Sequence, residues 1–424
     1  MKTAKIGLLG FGNVGGGTYK ILTENKEIIE ERIGVSPEVV KILARSKGKK
    51  RFAEAPESIM TVDPDEILNN EDIDIVVEML GGIEPATSFM LQAMKNGKHV
   101  ISANKAAIAA NYDELVKTAK ENNVEFLFDA SVAGGIPVLT AITNALQANK
   151  FVEVMGILNG TTNYILTKME KEGSDFAEVL KEAQDKGYAE RNPEADVEGH
   201  DACRKIAILS SLVYGKTVNY EEIQTEGITK ITTEDFKYMK EIGATIKLLG
   251  MSKDVDGKYF AMVAPFVLFP ANPLYSVSDV FNGILVRGNM VGDTMYYGRG
   301  AGKLPTASAV VADVIECARN IGKNVYCFWN PEKLELTSND DAKRKFFVRV
   351  ASTDVAAIEN VFGKVQVINA GIEGETGFIT EVMSEKEYKE KGKEIEFKLW
   401  FKMTYLEDNI QTIKVSVPSE FMWK

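Results

Sequence analysis

The run K-I-G-L-L-G-F-G-N-V-G-G, residues 5–16, decides the fold. Apolar residues 4–9 read as a short buried strand, and a helical apolar pattern follows it. Between them stand Gly10, Phe11, Gly12, Asn13, Val14 and Gly15. This is G-x-G-x-x-G in the strand-to-helix setting that the motif requires. Gly10 permits the tight turn, Gly12 lets the backbone approach a pyrophosphate, and Gly15 permits close helix packing. The N-terminus of the helix then favours phosphate charge. A dinucleotide contacted by Gly10 through Gly15 is the expectation.

Further along, the second strand, residues 39–44, runs into Arg45, Ser46 and Lys47, with Lys49, Lys50 and Arg51 behind. A site for NADH places an acid there for the ribose 2′-hydroxyl, whereas a guanidinium suits a 2′-phosphate. The reading is therefore a preference for NADPH, with NADH as the lesser cofactor. Residues 73–80 read as a buried parallel strand ending at Gly81 and Gly82. Residues 98–102 form the next, ending in Ser102-Ala103-Asn104-Lys105. Strand C-termini face the cofactor crevice in such sheets, which makes Ser102 and Lys105 candidates for contact. A helix over 112–122 and a strand over 124–128 complete the alternation. Residues 1–130 thus read as an α/β Rossmann-type doubly wound parallel sheet.

The 424 residues carry a net charge of −11, which disfavours nucleic acid and anionic membrane as partners. No apolar run approaches the roughly 20 residues of a membrane span, and no signal peptide is visible. The three cysteines, Cys203, Cys317 and Cys327, lack metal-ligand spacing and suggest reduced thiols in the cytoplasm. With only His99 and His200, a histidine-rich metal site is excluded.

Residues 183–205, A-Q-D-K-G-Y-A-E-R-N-P-E-A-D-V-E-G-H-D-A-C-R-K, gather acids on a turn-rich run and close on a helix. Such acids can hold a cationic substrate group. Lys205 follows Asp201 by one helical turn and projects from the same face.

Around this segment lie further runs: S-A-N-K (102–105), A-S-V-A-G-G-I-P (130–137), G-I-L-N-G-T-T-N-Y-I-L (156–166) and G-R-G-A-G-K-L-P-T-A-S (298–308). With the acidic segment they resemble the homoserine dehydrogenase family, in the family's order, across about residues 1–330. The resemblance implies reversible reduction of L-aspartate 4-semialdehyde to L-homoserine by NAD(P)H, in threonine and methionine biosynthesis. An aldehyde accepting hydride becomes an alkoxide and needs a proton or a positive neighbour. By resemblance, Lys205 is the proton donor and acceptor, and Lys105 contacts substrate and cofactor. Gly187, Glu190, Asp196 and Asp201 would hold the substrate or orient the lysines. Gly300 and Gly302 would approach the cofactor. The family also has a sodium site, whose matching positions are Asp129, Val132, Gly134 and Ile136. Its usual glutamate is the shorter Asp129 here, which weakens the site. Residues 131–329 become an α+β catalytic and dimerisation region whose helix near 305–320 returns to the nucleotide domain. A homodimer or homotetramer is implied.

Residues 330–343 read as a polar linker. Beyond them, strands near 345–351, 364–369, 376–383, 395–406 and 411–417, with a helix over 354–362, resemble a small ferredoxin-like ACT domain spanning 344–424. Residues 352–356, S-T-D-V-A, lack the proline and glycine of the turn that such domains carry, so two readings stand: a tail that senses threonine and a tail used only for assembly. The rival reading is a catalytically silent NADPH-binding amino-acid sensor, which retention of both lysines disfavours. Aspartate-semialdehyde dehydrogenase chemistry needs a cysteine nucleophile in a favourable setting, and Cys203 among acids is not one. A fused kinase has no room ahead of residue 4.

Overall fold

The computed structural model describes residues 1–46, 52–322, 329–394 and 397–403. Strands β1 (Lys2–Leu9), β2 (Val35–Leu43), β3 (Met60–Thr61), β4 (Ile75–Glu78), β5 (His99–Ser102) and β6 (Phe126–Leu127) form the first sheet. Every pairing in it is parallel, and the order is β3-β2-β1-β4-β5-β6. The chain reverses direction of build between β1 and β4, the switch point where such sheets bind dinucleotides. Ile6, Leu8, Ile75, Val77, Val100 and Ile101 are all fully buried, as expected for a sheet covered on both faces.

Local boundaries differ from the sequence reading in two informative places. The first helix is α1 (Asn13–Glu24), and a second, α2 (Lys26–Ile33), follows after Asn25. The helix expected over 112–122 is α3 (Lys105–Glu121), which starts at Lys105 itself. A kink at Asn111 (φ −134°, ψ 23°) interrupts its period and hid the first turns. Asn104 caps it by accepting from Ala107 N at 3.2 Å.

Among the described residues, the second sheet is mixed and has ten strands. Its main members are β7 (Phe151–Ile157), β8 (Thr245–Val255), β9 (Lys258–Leu268), β10 (Phe281–Gly288) and β11 (Gly292–Arg299) from the middle of the chain. The tail contributes β12 (Phe346–Val350), β13 (Val365–Ile368), β14 (Thr376–Thr380) and β15 (Phe397–Met403). The order is β11-β10-β7-β8-β9-β15-β12-β14-β13, with Gln224–Thr225 beside β9. Helices α4 (Gly160–Glu172), α5 (Phe176–Asp185), α6 (His200–Tyr214) and α7 (Thr233–Glu241) belong to the middle region. The next helix, α8 (Lys303–Asn320), returns to the first sheet, where Val310, Val314 and Cys317 share a core with Ile6, Leu8 and Ile75. The crossing of α8 over α1 is close. A Cβ at Gly17 would lie 2.8 Å from both Ala307 Cβ and Lys303 O. Gly15 instead faces its own loop, since a Cβ there would meet Gly10 O at 2.1 Å.

The tail runs β12, α9 (Val355–Phe362), β13, β14, α10 (Glu385–Lys391), β15, with strand order β15-β12-β14-β13. The strand read over 411–417 lies outside the described residues, as do Lys47, Lys49, Lys50, Arg51 and Cys327. Strand β15 pairs in parallel with β9, so the tail extends the central sheet. A buried ion network ties the two together. Arg349 on β12 donates to Asp235 of α7 at 2.6 Å and to both oxygens of Glu375 at 3.0 Å. Residues 330–343 are also attached to the middle region. Asn330–Lys333 pairs with Lys216–Thr217, and Asn339 donates to Ala261 O at 2.9 Å. Just ahead of them, Trp329 stacks on Tyr112, ring centroids 3.6 Å apart.

Candidate active site

A cavity of about 520 Å³ opens where the C-terminal ends of the first sheet meet α4, α6 and the N-terminus of α8. Strand β7 delivers Leu158 and Asn159 to it, and α4 starts immediately after. Asn159 caps α4, its Oδ1 accepting from Thr162 N at 2.9 Å. Helix α6 brings Asp201 in its first turn and Lys205 one turn later. From the segment between α5 and α6, Gly187, Tyr188, Ala189 and Glu190 also line the cavity.

At its centre, one carboxylate serves two lysines. Asp201 Oδ2 lies 2.6 Å from Lys205 Nζ, and Oδ1 lies 2.8 Å from Lys105 Nζ. Lys205 also donates to Leu158 O at 2.7 Å. Asn159 Nδ2 donates to Asp201 Oδ2 at 3.0 Å and to Asp196 Oδ1 at 2.7 Å. Burial alone would raise the Asp201 carboxyl, but the charges of Lys205 and Lys105 outweigh it and hold the group below the usual carboxylate range. Burial lowers the Lys205 ammonium, against the pull of Asp201, and Lys105 lowers it further. Burial raises Asp196, aided by the neighbouring charge of Asp201. A lysine eased towards losing its proton, with an ion pair to hold its position, can exchange that proton with an alkoxide in the cavity.

The nucleotide side fits a pyrophosphate. Gly10 adopts φ +110°, which an L side chain resists, and a Cβ there would strike Met79 O at 2.9 Å. A Cβ at Gly12 would meet nothing within 4 Å, so the backbone is open to close approach. Asn13 and Val14 open α1 without acids in its first turn. The ring of Phe11 is buried against Tyr19 at 5.9 Å, so only its backbone can face a ligand. Arg45 is exposed just past the end of β2, and Gly10 N donates to Leu43 O at 3.2 Å, which sets the two loops side by side.

Other expected residues fall in less direct positions. Ser102 is fully buried and donates to Glu78 Oε2 at 2.7 Å rather than opening on the crevice. Glu78, whose carboxyl burial raises, also accepts from Leu80 N at 2.7 Å. Glu190 is exposed at the mouth. A Cβ at Gly134 would meet Gly300 O at 2.5 Å, and Gly302 caps α8. Asp129 is buried, with its Oδ1 accepting from Thr140 N at 3.0 Å and its Oδ2 unpartnered. Burial pushes its carboxyl up to about 6. Asp313 of α8 accepts from Asp129 N at 2.9 Å. The Ile136 carbonyl accepts from Val138 N at 2.8 Å, and Val132 is buried. Sequence reasoning missed Asn159, Glu78 and Arg299, which also lines the cavity. The signal for Asn159 was available: an asparagine immediately before a helical pattern is a cap, and a cap beside the site can bond into it.

A Rossmann sheet, an open glycine loop and a lysine–carboxylate cluster in the facing cavity define a nicotinamide-dependent oxidoreductase. Comparisons narrow this. The family model described as "Homoserine dehydrogenase, NAD binding domain" matches residues 10–129, and the one described as "Homoserine dehydrogenase" matches residues 137–315. The homoserine dehydrogenase of Bacillus subtilis (strain 168) is 40% identical over 357 residues, covering 84% of this chain and 82% of that protein. The crystal structure of a homoserine dehydrogenase from Thiobacillus denitrificans superposes with a TM-score of 0.88 at 34% identity, covering 95% and 99% of the two chains. A hyperthermophilic archaeal homoserine dehydrogenase in complex with NADPH matches with a TM-score of 0.63 at 29% identity, over 74% and 97%. The chain belongs to the homoserine dehydrogenase family.

Proposed function

We propose that the chain catalyses the reversible reduction of L-aspartate 4-semialdehyde to L-homoserine, with Lys205 as the group that gives and takes the proton. The observation that carries this is the shared Asp201 carboxylate between Lys205 and Lys105 in a cavity of substrate size. When bound, the nicotinamide supplies or accepts the hydride. Lys205 holds its proton towards the nascent alkoxide, and Asp201 keeps the ammonium in place. Lys105, the first residue of α3, bridges the nucleotide and substrate sides. Asp196 and Glu190 offer negative charge to the substrate ammonium.

NADPH is the preferred cofactor in this reading. Exposed Arg45 after β2 supports it, and so does the NADPH bound by the archaeal relative. A monovalent cation at Asp129, Val132, Gly134 and Ile136 is supported by one buried, unpartnered oxygen, Asp129 Oδ2, and plays a structural part. The tail order β15-β12-β14-β13 supports an ACT-like fold, and a titration of activity with threonine decides between an effector site and a tail used only for assembly. A homodimer or homotetramer in the cytoplasm completes the proposal. The first test is reduction of NADP⁺ and, in parallel, NAD⁺ by L-homoserine at alkaline pH, followed at 340 nm. Turnover with NADP⁺ favoured is the expected result. Faster turnover with NAD⁺ overturns the cofactor preference, and no turnover overturns the activity.

A further inference from the structure

We infer that Asn159 is a positioning residue that sets the orientation and proton exchange of Lys205 by holding Asp201 and Asp196 with one amide. This rests on the assignment of Lys205 as the proton-exchanging group.

The amide is fully used. Its Nδ2 has two protons, and two carboxylate oxygens take them, Asp196 Oδ1 at 2.7 Å and Asp201 Oδ2 at 3.0 Å. Its Oδ1 accepts from Thr162 N at 2.9 Å and Thr162 Oγ1 at 3.2 Å. The side chain is buried. The orientation is therefore dictated from both ends: the helix cap fixes the oxygen, so the nitrogen must face the acids. Helix α4 thereby becomes the rigid support of two carboxylates that belong to other elements, Asp196 before α6 and Asp201 within it.

The adjacent residue continues the arrangement. Leu158 O accepts from Lys205 Nζ at 2.7 Å. The junction of β7 and α4 thus holds the lysine directly through Leu158 and indirectly through Asn159 and Asp201. Two acids this close would repel each other and draw the lysine's proton strongly. A donor shared between them offsets part of that repulsion. The titratable groups around Lys205 are Asp201, Asp196 and Lys105. Asn159 is the uncharged member, and its two N–H groups stabilise both carboxylates beside the two lysines.

The test separates capping from bridging. Asn159→Ser keeps a good cap but withdraws the amide donor, and Asn159→Asp keeps cap and shape while turning the donor into an acceptor. In both, homoserine oxidation is expected to lose about 10- to 100-fold in kcat, by analogy with loss of the hydrogen-bond partner that orients a metal ligand. KM for NADP⁺ should hold. The rising limb of kcat/KM with pH should move to higher pH, further in Asn159→Asp than in Asn159→Ser, because uncompensated carboxylates hold the Lys205 proton more tightly. Wild-type kcat and an unmoved pH limb in either variant overturn the inference and leave Lys205 standing. A fully active Lys205→Ala overturns the assignment beneath it.

Discussion

Lys205 was legible because its partner is local. Asp201 and Lys205 sit one turn apart on the same helix, so sequence spacing alone placed their side chains together. Lys105 was legible as a residue past a strand end, but its bond to Asp201 at 2.8 Å was not, since the two come from separate regions of the chain. Burial makes the arrangement consequential. Lys205 is 8% exposed and Asp201 is 7% exposed, so water screens their attraction weakly. Lys205→Ala is expected to lower kcat for homoserine oxidation by about 10²–10⁴-fold, the range for a general acid–base group. Steady-state rates at saturating homoserine and NADP⁺ would measure it. A loss under threefold, with the protein folded, removes Lys205 from the chemistry.

The elements around the cofactor were legible where pattern and glycine spacing agreed. The strand–loop–helix at residues 2–24 is the clearest case, because its geometry is imposed by Gly10 and its apolar strand. Helix α3 was misread at its start because the kink at Asn111 breaks the period that reveals helices. Gly15 permits the close seating of α1 on the loop after β1, as its motif position implies, and Gly17 adds a second close approach, against α8. No local pattern could show this, since Ala307 arrives from far along the chain. Gly17→Val would force α1 and α8 apart and should cost about 1–3 kcal/mol, as overpacking does. A lower melting temperature together with weaker NADP⁺ binding is the expected pair of results. An unchanged melting temperature would show that α8 does not hold α1 at this crossing.

Across the molecule, two sheets share the work. The first, apart from β1, lies within the part matched by the NAD-binding family model, the second supplies β7 and its junction with α4 to the facing cavity, and α8 joins them by returning to the first sheet's core. The tail joins the second sheet edge to edge and is pinned there by Arg349 between Asp235 and Glu375. All three side chains are almost wholly buried. Removing the cation that both carboxylates bind should be expensive, about 3–5 kcal/mol for a buried pair broken from one side. Arg349→Met should therefore lower the urea midpoint of the full chain markedly. An unchanged midpoint would mean that the network adds nothing to the attachment of the tail.

The amino-acid sequence by itself determined the dinucleotide loop, the alternation of strands and helices in the first sheet, and the Asp201–Lys205 pair. Each is a matter of short-range pattern: strand apolarity, glycine spacing, helical turn. Only the tertiary structure decided that one carboxylate joins Lys105 to Lys205, that Asn159 links Asp196 to Asp201, that Ser102 is spent on Glu78, and that the tail extends the central sheet. These are contacts between distant parts of the chain. They depend on which surfaces burial brings together, and neither spacing nor residue type carries that information.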